Sequence, residues 1–169
     1  MDYSQKFIDA FKFVCYRLEG GSAVTSPTFD GHWTRYGIIE STYAQYYRGK
    51  DVRNCTEEEA MHIYYTYYSK ARLDEVDNDS IRLFVFAGII NMGHTAFIKN
   101  CIQKPLNLIV DGIVGKQTIA ALNNNVADTY KIIYNATLER YKALAKNGKE
   151  KHLKGWTNRI NLIPFKYNA

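Results

Sequence analysis

At 169 residues the chain is long enough to bury one sizeable hydrophobic core, while two full domains would each be marginal. With 46% hydrophobic and 23% charged residues and no low-complexity stretch, the composition excludes a disordered or fibrous protein. The net charge of +5 favours an anionic partner, but the basic residues are too scattered for a nucleic-acid patch: Glu150 interrupts even the run from Lys146 to Lys154.

Phe7, Ile8, Phe11, Val14, Cys15 and Leu18 recur at helical spacing, which predicts a helix from about Ser4 to Leu18 burying one face. Gly20-Gly21 stops it and leaves Glu19 at its C-terminal end. Residues 22–36 carry Pro27, Asp30, Gly31 and several Ser and Thr, and read as an irregular segment or short β-hairpin forming the floor or lip of a cleft. Thr56 and Glu59 make a capping box, predicting a helix to about Arg72 with Met61, Tyr64, Tyr65 and Tyr68 on one face. Ser80 is the expected N-cap of a helix from Ile81 to about Cys101, apolar on so many sides that it belongs at the centre of the fold. Asn91 and Gly93 weaken a helix interior, so their presence there points to close approach by a ligand or another helix. Asp111-Gly112-Ile113-Val114-Gly115 is a turn-rich loop in which Asp111 caps the turn. A short helix from near Lys116, a longer one from about Val126 to Ala145 and a final segment around Trp156 complete a chain expected to be mainly α in one compact domain.

Cys15, Cys55 and Cys101 form no CxxC pair and cannot all pair with one another, so they are expected to be reduced and buried, with no metal site. The opening Met1-Asp2-Tyr3-Ser4 lacks the basic start and apolar run of a secretory signal, and Ile81 to Ile90 is too short to span a bilayer. A target outside the cytoplasm would then be reached by release or export. Fourteen Tyr, eight Phe and two Trp supply flat amphipathic faces that suit sugar rings, although a cluster such as Tyr64, Tyr65, Tyr67 and Tyr68 more often serves as packing than as a binding platform.

Glycosidic cleavage needs a proton donor at the leaving oxygen and a second group that acts as nucleophile or positions water. Glu19, expected at the C-terminal end of a helix and among aromatic residues, is the candidate for that donor. The glycines after it let a sugar approach the backbone.

Leu18-Glu19-Gly20-Gly21, followed by Asp30-Gly31-His32-Trp33-Thr34-Arg35-Tyr36-Gly37-Ile38, resembles the signature of the glycoside hydrolase family 108 N-acetylmuramidases. Ile63-Tyr64-Tyr65 to Tyr68 and Asn91-Met92-Gly93 follow in that family's order. Asp111 to Thr118 is similar to the start of its predicted peptidoglycan-binding segment, and Gly155-Trp156-Thr157-Asn158-Arg159 to its C-terminal motif. The resemblance implies a lysozyme-like helical fold that cleaves between N-acetylmuramic acid and N-acetylglucosamine, without cofactor or metal. It also implies a catalytic region over 1–100 and a peptidoglycan-binding segment over 101–169, acting on glycan strands at the periplasm or cell wall after release or export, for example through a holin; the chain is expected to be a monomer.

Carried over, Glu19 is the catalytic acid, Thr34, Tyr36 and Gly37 line the cleft, Asn91 takes a groove position, and Trp33 and Tyr65 are further substrate contacts. The second catalytic role has two claimants. The family's paired glycines are absent, since His32-Trp33 follows Gly31, and aligning on Thr34 displaces Asp30 by one position. The spacing of Glu19, Thr28 and Thr34 is similar to that of phage lysozymes, in which hydroxyls position the water, so Asp30 and the Thr28/Thr34 pair both stand. A non-catalytic wall-binding module or a lytic transglycosylase are the alternatives.

Overall fold

Ser4 caps the first helix, its Oγ accepting the Phe7 amide at 3.1 Å. Helix α1 (Gln5–Phe11) continues as a π-helical stretch over Lys12–Leu18. The Glu19 amide accordingly donates to Val14 O, five residues back, at 3.1 Å. The expected helix is present, but its wider winding was not evident from the apolar spacing, which a π-helix alters only slightly. The computed structural model describes residues 1–25, 32–146 and 148–165. They fall into two compact units, Met1–Thr66 and Tyr67–Ala169.

In the first unit, β1 (Thr34–Arg35) pairs antiparallel with β2 (Ile38–Ile39), Thr34 opposite Ile39, and Thr25 bridges to Thr34. The hairpin thus lies at the end of the segment expected to hold it and runs past residue 36. Its two-residue turn, Tyr36-Gly37, has φ of +54° and +70°, the type I′ pattern that matches strand twist. Helix α2 (Glu40–Tyr46) follows, which the apolar spacing does not announce, and then a 3₁₀ turn at Val52–Asn54. Helix α3 (Glu57–Lys70) starts at the predicted capping box: Thr56 Oγ1 accepts the Glu59 amide at 3.1 Å and Glu59 Oε2 accepts the Thr56 amide at 3.0 Å. The core here is aromatic, with Phe11 edge-on to Tyr64 at 5.2 Å.

In the second unit, α4 (Asp79–Met92) is buried on nearly every side, as its apolar run predicts. Two expectations about it need correction. Its N-cap is Asn78, whose Oδ1 accepts the Ile81 amide at 3.1 Å, because the Ser80 hydroxyl is drawn away to Pro164 O at 2.5 Å. It also stops at Met92 rather than near Cys101, because Gly93 turns the chain with φ of +88°. A second segment, α5 (His94–Phe97), continues as a π-helix over Ile98–Gln103. Gly88 lets the Phe97 ring lie directly on the α4 backbone, where a Cβ would come within 2.1 Å of it.

Asp111 keeps its turn role, its Oδ1 accepting the Ile113 amide at 2.8 Å and the Gln103 side-chain amide at 2.9 Å. Then come α6 (Lys116–Asn123), α7 (Val126–Ala145) and α8 (Glu150–Asn161), with α7 packed against α6, α8 and the second π-helix. The fold is mainly α with one small antiparallel sheet, the class expected and consistent with a lysozyme-like fold. All three cysteines are free and buried. Among the described residues, no helix is long and apolar enough to cross a membrane.

Candidate active site

Glu19 terminates the first π-helix and is half-buried. Its side chain lies on the backbone of the hairpin turn: a Cβ built at Gly37 would stand 2.6 Å from Glu19 Cβ and 3.1 Å from its Oε2. Only glycine fits there, both for that contact and for the positive φ.

Tyr36 occupies the other positive-φ position, a conformation unusual for a bulky residue. It persists because it is held from three directions. Its amide donates to Gly21 O at 2.9 Å, its carbonyl accepts the Tyr64 hydroxyl at 2.8 Å, and its ring meets Tyr16 edge-on at 6.2 Å. The Gly20-Gly21 turn after Glu19 is therefore tied directly to the Tyr36-Gly37 turn beneath it. Tyr16 is anchored by a hydrogen bond to Glu57 Oε2, which, with burial, raises its phenol above the ordinary value. Below the turn, burial pushes the Cys15 thiol up to about 12, so it stays protonated and serves as packing.

The strand side is fixed by pairs the sequence did not reveal. The Trp33 amide donates to Glu40 Oε1 at 2.9 Å while the Glu40 amide donates to Trp33 O at 3.2 Å. The Arg53 guanidinium lies 5.0 Å over the Trp33 ring, and Arg35 Nη1 donates to Arg53 O at 2.8 Å. Thr34 is half-buried in β1, and its carbonyl accepts the Thr25 amide at 3.0 Å.

Glu19, Tyr36 and Gly37 are thus brought into contact, with Thr34 and Trp33 on the same hairpin. Tyr65, on α3, packs its ring 5.0 Å from both Tyr3 and Phe7. Asn91 lies in the second unit, in the last turn of α4, where its Oδ1 accepts the Tyr141 hydroxyl at 2.9 Å. Thr28 and Asp30 lie outside the described residues. Tyr64, Glu40 and Arg53 were missed as supports of the site, since each acts through a partner distant in sequence. A carboxyl fixed at a helix end against a rigid turn can deliver a proton along a defined direction.

Residues 13–93 match the family model of glycosyl hydrolase 108. The matched stretch contains every candidate site residue from Glu19 to Asn91. The peptidoglycan-binding segment expected over 101–169 lies beyond it. The structure of Brucella abortus SagA is similar to this chain with a TM-score of 0.72 and 22% identity, covering 96% of this chain and 98% of that one, a likeness of fold. No curated protein matches the chain.

Proposed function

We propose that the chain is an N-acetylmuramidase, a glycoside hydrolase cleaving the bond between N-acetylmuramic acid and N-acetylglucosamine in peptidoglycan, with Glu19 as general acid. The observation that carries this reading is the Glu19 carboxyl seated on the Gly37 backbone, inside the stretch that matches glycosyl hydrolase 108.

Protonation of the glycosidic oxygen by Glu19 lets the leaving sugar depart as positive charge develops on the other ring. A second group then supplies a nucleophile or directs water from the opposite face. Asp30 is the favoured candidate, because a carboxylate stabilises an oxocarbenium charge better than a hydroxyl does. The Thr28 and Thr34 hydroxyls are the competing one. Trp33, Tyr36, Gly37, Tyr65 and Asn91 are assigned to substrate contact, 1–100 to catalysis and 101–169 to holding the wall. The two-group chemistry requires no cofactor. The enzyme acts as a monomer at the periplasm or cell wall after release or export.

Mass spectrometry of purified peptidoglycan after incubation tests this directly. Reducing-end muramic acid is the expected product, and its release should fall by about two to four orders of magnitude in Glu19→Gln, the scale of general acid catalysis. Anhydromuramic products would replace hydrolysis by lytic transglycosylation. A folded wild-type protein that releases nothing, or a fully active Glu19→Gln variant, would overturn the assignment.

A further inference from the structure

The loop between the second π-helix and α6 holds three aliphatic side chains out of the fold. Ile109 is 71% exposed, Ile113 67% and Val110 47%, whereas Val114, next to Ile113, is buried. They are held there rather than left loose. Gln103, buried beneath the loop, donates from Nε2 to Asp111 Oδ1 at 2.9 Å and to Ile113 O at 3.0 Å, and its Oε1 accepts the Gly112 amide at 2.8 Å. Asp111 Oδ1 also accepts the Ile113 amide at 2.8 Å. The polar side chains of Gln103 and Asp111 are thus spent on fixing the loop backbone, while the aliphatic ones face water. An apolar patch held rigid in water is suited to contact, since covering it is favourable and little ordering remains to be done.

The rim of the patch is cationic. Lys99, Lys104 and Lys116 are the basic residues between positions 98 and 126, and Asp111 is the single acid. The Lys99 side chain lies along Gly112, where an added Cβ would come 3.2 Å from Lys99 Cε. Lys116 borders the same hollow as Ile109 and Ile113, and Lys104 is exposed in the turn before the loop. Neither Lys104 nor Lys116 enters an ion pair among the described residues. No aromatic residue occurs between positions 98 and 126, so the ring stacking that holds sugars has no partner in this stretch. Branched aliphatic tips ringed by lysines match instead the boundary of an anionic bilayer, where the side chains enter the acyl region and the ammonium groups stay with the headgroup phosphates.

We infer that the 108–113 loop docks on, without crossing, a membrane surface rich in anionic phospholipid. The inference concerns this loop alone and does not depend on the muramidase reading.

Co-sedimentation of the intact protein with lipid vesicles tests it. Vesicles of phosphatidylglycerol and phosphatidylethanolamine should bind the chain, and vesicles of phosphatidylcholine alone should not. The overall positive charge by itself draws the chain to anionic vesicles, so the deciding variant is Ile109→Ser combined with Ile113→Ser, at two exposed positions whose replacement spares the fold. It should weaken binding about tenfold or more with the charge unchanged, the scale of leaving two aliphatic side chains in water. Lys104→Gln combined with Lys116→Gln should also weaken binding and make what remains less sensitive to salt. Equal binding to phosphatidylcholine, or unchanged affinity of either variant for anionic vesicles, would overturn the inference. Binding to purified walls, or a dimer in sedimentation velocity, that the isoleucine variant abolishes while vesicle binding persists would overturn it too, assigning the patch to the wall or to a second copy of the chain.

Discussion

A methyl group at Gly37 would press within 2.6 Å of Glu19 Cβ at a φ of +70°, so Gly37→Ala strains the turn and displaces the acid together. The backbone strain alone costs about 1–2 kcal/mol, and activity should fall at least tenfold in a protein that still folds; denaturation and wall-release assays on one preparation read both. Tyr64→Phe removes the buried hydroxyl that holds Tyr36 O. Urea unfolding should show a loss of about 1–3 kcal/mol, with kcat lowered more than KM is raised, because the side chain positions the turn without touching substrate. Asp30→Asn and Thr34→Val divide the second catalytic role. If the carboxylate carries it, Asp30→Asn loses nearly as much activity as Glu19→Gln, whereas a hydroxyl-positioned water makes Thr34→Val the more damaging change.

At the level of elements, α3 depends on a reciprocal cap that the sequence already displays. Thr56→Ala should cost about 1 kcal/mol in thermal or chemical denaturation. The same glutamate links this helix to pH. Burial alone would push Glu59 up, but hydrogen bonds from Lys50, Tyr43 and the Thr56 amide outweigh it and hold the carboxyl at about 2, below its ordinary 4.5. Its contribution is therefore present above pH 4.5 and lost as pH falls through about 2, since the unfolded chain takes up the proton first. Glu59→Gln should flatten the stability profile in that window while lowering stability at neutral pH; unchanged acid unfolding would contradict the network. The start of α4 illustrates the limit of reading caps from sequence. Asn78 and Ser80 are both good cap residues, and the choice falls to Asn78 because Ser80 bonds to Pro164 O, a partner far along the chain.

For the molecule as a whole, the charge of +5 should make wall binding salt-sensitive, since exposed charges are screened within roughly 8 Å at physiological ionic strength. Pull-down on purified walls over a salt series measures this, and salt-independent binding would assign adhesion to stacking and hydrogen bonds instead. The mainly helical class, the Thr56 cap, the position of Glu19 at a helix end and the burial of Cys15, Cys55 and Cys101 are all legible in the order of the residues. These features are local, because apolar spacing, caps and breakers act within a few residues of one another. That Glu19 rests on Gly37, that Tyr64 secures Tyr36, and that Asn91, Arg140 and Lys149 face one cavity emerges only when the chain is folded. Those contacts join residues far apart in the chain, and periodicity reports that a face is buried but not what it is buried against.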